Sequence, residues 1–215
     1  MRLADLTALA ADSFRDVFGT QATTAEDGHG AGTIVLLGPA EPGFWTHVND
    51  QPEFSDGLPD PLDRWSARVI GGVANAVGGT AHFPFGKPTH PFFSWALRSG
   101  RAWQSPVVLL VHDHAGLMVS YRGAILLPDT FFESPGVARP CDTCIAKPCL
   151  TACPALALNE NGYDLDACHS FLDTPGGLGC LSHGCEVRRS CQVSKNYVRS
   201  RHQSAFHMER FHSCR

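Results

Sequence analysis

The chemistry open to this chain lies in its cysteines, and their placement says more than their number. None occurs in residues 1–140, eight fall between Cys141 and Cys191, and the ninth is Cys214. Four stand close together in Cys141-Asp-Thr-Cys144-Ile-Ala-Lys-Pro-Cys149-Leu-Thr-Ala-Cys153-Pro154, a C-x2-C-x4-C-x3-C-P run. Cys168, Cys180, Cys185 and Cys191 follow at looser spacing. Thiols gathered in this way form disulfides in an oxidising compartment or ligate metal in a reducing one. The amino terminus, MRLADLTALAADSFRD, carries an acid every few residues and does not read as a signal peptide. No apolar run approaches the roughly 18 residues that span a bilayer. The expectation is therefore a cytoplasmic protein with no membrane partner, whose cysteines bind metal.

The cysteine run resembles that of bacterial ferredoxins, C-x2-C-x2-C-x3-C-P, with Lys147-Pro148 inserted between the second and third ligands. The logic of such a run is steric. Short loops wrap backbone around one cubane, and the small residues Thr143, Ala146, Thr151 and Ala152 let N–H groups approach the sulfurs. Zinc ribbons also use C-x2-C pairs, so a structural zinc protein is a competing reading. The resemblance implies two [4Fe–4S] clusters with crossed ligation. Cys141, Cys144, Cys149 and Cys191 would hold the first, and Cys153, Cys168, Cys180 and Cys185 the second. It also implies electron transfer with a redox partner protein. Cys191 is followed by Gln192 where the ferredoxin pattern has Pro, and a single cluster beside buried free thiols is the alternative for the second set. Cys214, beside the last residue, reads as a free thiol.

Residues 186–215 hold seven basic and two acidic residues, a net +5. No Lys/Arg run exceeds two, so the charge reads as compensation of the thiolates by Arg188, Arg189 and Lys195, and nucleic acid is not the expected partner. His82, His90, His112 and His114 invite a ligand role, but hydrogen-bonded histidines are the simpler account. Arg64, Arg68, Arg98 and Arg101 could pair with a phosphate-bearing cofactor, but read first as helix-surface charges.

The elements that must carry these groups divide at the cysteines. Met1 to Phe18 has an amphipathic helix pattern with Leu3, Leu6, Ala10, Phe14, Val17 and Phe18 on one face, ended by Gly19. Thr20 to Gly32 reads as a loop, Thr33 to Leu37 as a buried strand, and Glu41 to Pro59 as a long irregular segment. Asp60-Pro61 starts a helix through Leu62, Trp65, Val69, Val73 and Val77 that stops at Gly78-Gly79. His82 to Phe85 suits a short strand, and Pro91 to Leu97 a short helix. Pro106–Val111 and Leu117–Leu127 suggest a hairpin turning at Asp113–Gly116. Ala155 to Leu158 continues a helix behind Cys153, and Asn159 to Gly162 turns. The tail from Tyr197 reads as a polar linker and then a short helix docked by Phe206 and Phe211.

The stretch Leu117-Met-Val-Ser-Tyr121-Arg122-Gly123-Ala-Ile-Leu-Leu-Pro128 resembles the cobalamin-processing CblC family, a branch of the nitroreductase-like fold. The whole chain resembles reductive dehalogenases and, more distantly, epoxyqueuosine reductases, which join such a domain to a two-cluster ferredoxin module. The expected fold is α+β. It comprises a nitroreductase-like/CblC-like domain over 1–138, a ferredoxin-like module over 139–198 and a tail over 199–215. The expected function is iron–sulfur electron transfer. The alternative is a reductase, with cobalamin or flavin bound by the amino-terminal domain and reduced by the clusters. No Rossmann or P-loop glycine fingerprint is present.

Overall fold

A computed structural model describes residues 3–13, 15–130 and 136–213. The chain mixes helix and sheet and divides into two compact units. Unit 1 is Met1–Arg101 with Ser120–Gly136, and unit 2 is Ala102–Val119 with Val137–Arg215. The single break expected near residue 138 is thus replaced by an interleaved one. Its cause is local: residues 102–119 pack their apolar side chains among the cysteines, as described below.

Unit 1 begins with α1 (Leu3–Ala11) and then turns into β1 (Arg15–Ala22). The helix expected to reach Phe18 stops early because β1 pairs along its length with β2 (Thr33–Pro39). Cross-strand pairing there outweighs an apolar spacing that also suited a helix. Phe14, placed on the expected helix face, lies outside the described residues. The register of β1 slips between Val17 and Gly19, a bulge that sets Phe18 against Gly38. After β2 come α2 (Phe44–Asn49), α3 (Pro61–Ala76), β3 (Thr80–His82) and α4 (Phe92–Arg98), and β6 (Gly123–Leu127) enters late. The sheet order is β1-β2-β6-β3, antiparallel throughout. Every residue of β2 is buried, as its unbroken apolar run implies for a central strand.

Helix α3 starts at Pro61 as expected, but Asp60 sits in left-handed backbone (φ 52°) and makes no side-chain cap. The helix ends where Gly78 turns left-handed and the Gly79 N–H donates to the Ala74 carbonyl at 2.8 Å. Its buried face is Leu62, Trp65, Ser66, Ile70 and Ala74, rotated from the Val69–Val73–Val77 line. That face packs with Leu6 and Ala10 of α1, Val35 and Leu37 of β2, and Ile125 and Leu127 of β6. Each such aliphatic side chain contributes roughly 1.5–3 kcal/mol when fully buried.

The Glu41–Pro59 segment is not irregular. It contains α2 and a 3-10 turn at Pro52–Phe54, and two arginines from α3 pin it. Arg64 pairs with both oxygens of Asp56 at 2.6 and 2.8 Å, and Arg68 with Glu53 at 2.6 and 3.0 Å. These side chains read from sequence as helix-surface charges fasten a loop instead.

Unit 2 opens with the hairpin β4 (Ala102–Gln104) and β5 (Leu110–His112). The expected partner of β5, Leu117–Leu127, divides: Gly123–Leu127 joins the sheet of unit 1, and Leu117 stays in unit 2. A tight turn does close there, with paired hydrogen bonds between His112 and Gly116. The chain then runs through α5 (Pro140–Thr143), a 3-10 turn at Pro148–Leu150, β7 (Leu158–Asn159) and β8 (Gly162–Tyr163). Helices α6 (Leu165–Leu172), α7 (Leu178–His183), α8 (Glu186–Ser190), α9 (Gln192–Asn196) and α10 (Arg201–Ser213) follow. Ala155 to Leu158 is a turn into β7, not a continuing helix. The expected tail is a thirteen-residue helix, part of unit 2. It lies so close to Gly184 (φ 88°) that a Cβ there would sit 2.6 Å from the Ser204 Cβ. Among the described residues no helix is long and apolar enough to cross a membrane.

Candidate metal centres

The core of unit 2 is built with cysteine. Val107, Val111, Leu117, Cys149, Leu158 and Val187 are buried together, and Cys141, Cys153, Cys185 and Cys191 pack against them. All eight described cysteines are free thiols. Cys214 lies outside the described residues.

The eight sort into two fours. Cys141 follows Pro140 in the first turn of α5, and Cys144 ends that helix. Lys147 takes left-handed backbone (φ 39°) and turns the inserted loop so that Cys149 is buried in the 3-10 turn. Cys191 occupies the non-helical joint between α8 and α9. These four line one cavity of about 190 Å3, walled also by Val111 and Leu117 from the hairpin. Burial pushes the Cys141 and Cys149 thiols up from their ordinary range. The sulfurs of Cys141, Cys191 and Cys144 add to the effect at Cys149.

Cys153, Cys168 of α6, Cys180 of α7 and Cys185 at the start of α8 line a second cavity, of about 20 Å3. Burial likewise raises the Cys168 and Cys180 thiols, and Cys185 and Cys153 reinforce it at Cys168. The phenol O–H of Tyr163 donates to the Cys168 sulfur at 3.3 Å. Burial first, and then this bond, carries the Tyr163 pKa far above its ordinary value. Among the described residues no three His, Cys, Asp or Glu donors converge on a single metal-ion position. The thiols stand around the walls of the two cavities.

The partition into Cys141/Cys144/Cys149/Cys191 and Cys153/Cys168/Cys180/Cys185 is the one implied by crossed ligation. As to fit, the lining of the first cavity holds four thiols and no His, Asp or Glu, a soft donor set suited to iron–sulfur or zinc. Its volume has room for a multi-atom group. The second cavity admits about one water, so ligation there requires its cysteine side chains to turn outward. In both places buried thiols are costly to ionise alone, and a bound metal group that takes up the sulfur charge removes that cost.

Sequence reasoning missed Tyr163 and the hairpin wall, because neither lies near the cysteine spacings that drew attention. One residue fixes the wall. Gly116 (φ 58°) leaves the turn so close to α9 that a Cβ would meet the Ser194 nitrogen at 2.4 Å. The basic residues expected to compensate the thiolates divide their roles. Arg188 donates to the Leu117 carbonyl, whereas Arg189 pairs with Glu186 and lies near enough to Cys180 to favour its thiolate.

The other residues considered from sequence fall elsewhere. His112 is buried, and its Nδ1 accepts the backbone N–H groups of His114 and Ala115, which makes it a turn anchor. His82 Nδ1 lies 3.2 Å from His90 Nε2 in unit 1. Unit 1 also buries two arginines. Arg15, 1% exposed, stacks on Trp65 and donates to Ser66 Oγ, which Arg122 Nε also contacts; Arg122 pairs with Asp63. Arg15 Nε and Nη1 have no hydrogen-bond partner among the described residues. Comparison of the chain with protein-family models, with curated proteins and with solved structures yields no match.

Proposed function

We propose that this chain is an iron–sulfur electron-transfer protein, with one [4Fe–4S] cluster held by Cys141, Cys144, Cys149 and Cys191 and a second by Cys153, Cys168, Cys180 and Cys185. The observation that carries this reading is the sorting of eight free thiols into two fours, each around its own cavity. Four cysteines so close together in a C-x2-C-x4-C-x3-C-P run support a cluster over a single zinc. Such clusters, when bound, supply one-electron redox steps with a partner protein. The chain's own contribution is to bury Cys149 and Cys180 and partly bury the other six thiols, to set Val111, Leu117 and Leu158 against them, and to supply the Tyr163 hydroxyl to Cys168. Anaerobic purification followed by metal and acid-labile sulfide analysis tests it. About eight iron and eight sulfide per chain are expected. About four of each would confine the proposal to one cluster, and stoichiometric zinc without sulfide would overturn it.

A second reading has unit 1 bind a flavin or corrinoid that the clusters reduce. One observation favours it: buried Arg15 beside Arg122 has two guanidinium nitrogens, Nε and Nη1, without acceptors among the described residues, a need that an anionic group such as a phosphate would meet.

A further inference from the structure

Three histidines far apart in the sequence meet at one edge of the sheet in unit 1. His82 ends the edge strand β3, His90 stands two residues before α4, and His29 lies in the loop that leads into β2. His82 Nδ1 and His90 Nε2 are 3.2 Å apart. Their rings meet edge to face at 72° with centroids 4.4 Å apart, and the His29 ring lies 4.8 Å from that of His82. Two ligands of one tetrahedral ion, each bonded at about 2.0–2.1 Å, stand roughly 3.3 Å from each other. The His82–His90 spacing is already that of such a pair.

The surroundings hold the pair and leave the third ring room. His90 stacks on Trp95 of α4, planes 26° apart. The indole N–H of the same Trp95 donates to Asp27, two residues before His29, so one side chain positions both the His90 ring and the base of the His29 loop. His29 is half-buried between Gly28 (φ 70°) and Gly30, and a Cβ on either glycine would meet nothing within 4 Å. His82 is 8% exposed and its Nε2 has no hydrogen-bond partner among the described residues, so no second hydrogen bond competes for that ring. Burial, ahead of any neighbouring charge, lowers both His82 and His90, which keeps the imidazoles neutral and their lone pairs available near neutral pH.

We propose that His82 and His90 are two ligands of a site for a divalent transition-metal ion of the zinc class, and that His29 turns in as the third. Among the described residues three donors do not yet meet at one ion position. The site is a placed pair and one ring, on a loop with open space, that closes on the ion. Imidazole nitrogen suits zinc, copper and nickel, and not magnesium or calcium. All three residues belong to unit 1 and none is a cysteine, so the site stands apart from the thiol centres and does not rest on the electron-transfer reading. The bound ion would tie the loop before β2, the end of β3 and the approach to α4 to one point.

The test uses the full chain purified anaerobically and equilibrated by dialysis with Zn2+. One zinc per chain is expected at this site. X-ray absorption at the zinc edge, which iron does not obscure, should show nitrogen ligands at about 2.0–2.1 Å, where sulfur would stand at about 2.3 Å. His90→Gln and His29→Gln should each weaken this binding by roughly tenfold or more, since disturbing even an outer-shell partner of a metal site costs that much. His202→Gln, an exposed histidine of α10, should leave it unchanged. No zinc bound at tens of micromolar ion, zinc held only by sulfur, or an unchanged affinity in both His90→Gln and His29→Gln overturns the inference. Loss in His90→Gln alone overturns the part given to His29. A chain without iron and sulfide removes the electron-transfer reading and not this one, because zinc on its thiols is read as sulfur and zinc on its histidines as nitrogen.

Discussion

Arg98 grips both carboxylate oxygens of Asp27, at 2.7 and 2.8 Å, from the far end of α4. The Asp27 side chain is almost wholly buried, and Trp95 Nε1 donates to it as well, at 2.7 Å. Burial by itself raises this carboxyl, but the Arg98, Thr24 and Trp95 hydrogen bonds together prevail and lower it to about 2. Asp27→Ala should cost roughly 2–4 kcal/mol, since it leaves a guanidinium and an indole N–H without their acceptor. A depressed carboxyl contributes stability that is present above its ordinary value near 3.8 and is lost as pH falls toward 2. Urea unfolding of wild type and variant across that window measures both effects.

His82 acts in a different window. It is 8% exposed, and burial first, then His90 and His29, lowers it to about 4. Between pH 6.5 and 4 the unfolded chain binds the proton more readily than the folded one, so stability falls as pH falls through that range. The expected loss is on the order of 2–3 kcal/mol. His82→Leu should flatten the stability profile between pH 6.5 and 4 and leave the Asp27 window in place. An unchanged slope in the variant would remove His82 as the cause.

Cys144→Ala and Cys153→Ala should damage different centres. The two residues are nine apart in the chain, yet Cys144 lines the larger cavity and Cys153 the smaller. Each variant should lose about half the iron and sulfide, and the spectra of the reduced proteins should lose different signals. Loss of the same signal from both would favour a single closed site over Cys141–Cys153.

Gly116→Ala should weaken unit 2. The left-handed backbone and the 2.4 Å approach to Ser194 together require either the turn or α9 to move. Strain in such backbone is of order 1–3 kcal/mol before the clash is counted. Because α9 begins directly after Cys191, iron retention at the first centre should fall along with thermal stability. Full retention at unchanged melting temperature would separate the turn from the site.

For the second reading, titration of flavins and cobalamins should quench the fluorescence of Trp65, whose ring carries Arg15 at 3.9 Å. Arg15→Met should abolish the quenching. Absence of binding at tens of micromolar ligand leaves the plain electron carrier.

Where one period or motif dominated, the chain was legible. The apolar run of β2, the start and glycine stop of α3, the short helix α4 and the grouping of the cysteines can all be read from residue types. The early strand could not, because Arg15–Ala22 has an apolar spacing that suits either state and only pairing with β2 decides it. Nor could the fate of Leu117–Leu127, whose two ends serve different units although nothing in their composition changes between them. The Tyr163–Cys168 bond was invisible for a similar reason. A hydroxyl five residues from a thiol acquires meaning only when β8 and α6 set the two side chains face to face.

Because Ala102–Val119 belongs with a segment that begins at residue 137, a growing polypeptide meets the two units out of order. Val107, Val111 and Leu117 leave the ribosome before β6, which the first unit needs between β2 and β3. They then wait for Cys149, Leu158 and Val187 to be synthesised. The first thiol set is completed only when Cys191 emerges, so on the proposed reading metal loading at that centre follows synthesis of residues 1–191. During that interval an apolar hairpin and several reduced thiols stand exposed together. On the iron–sulfur reading proposed above, iron and sulfide are needed at that centre only late in synthesis.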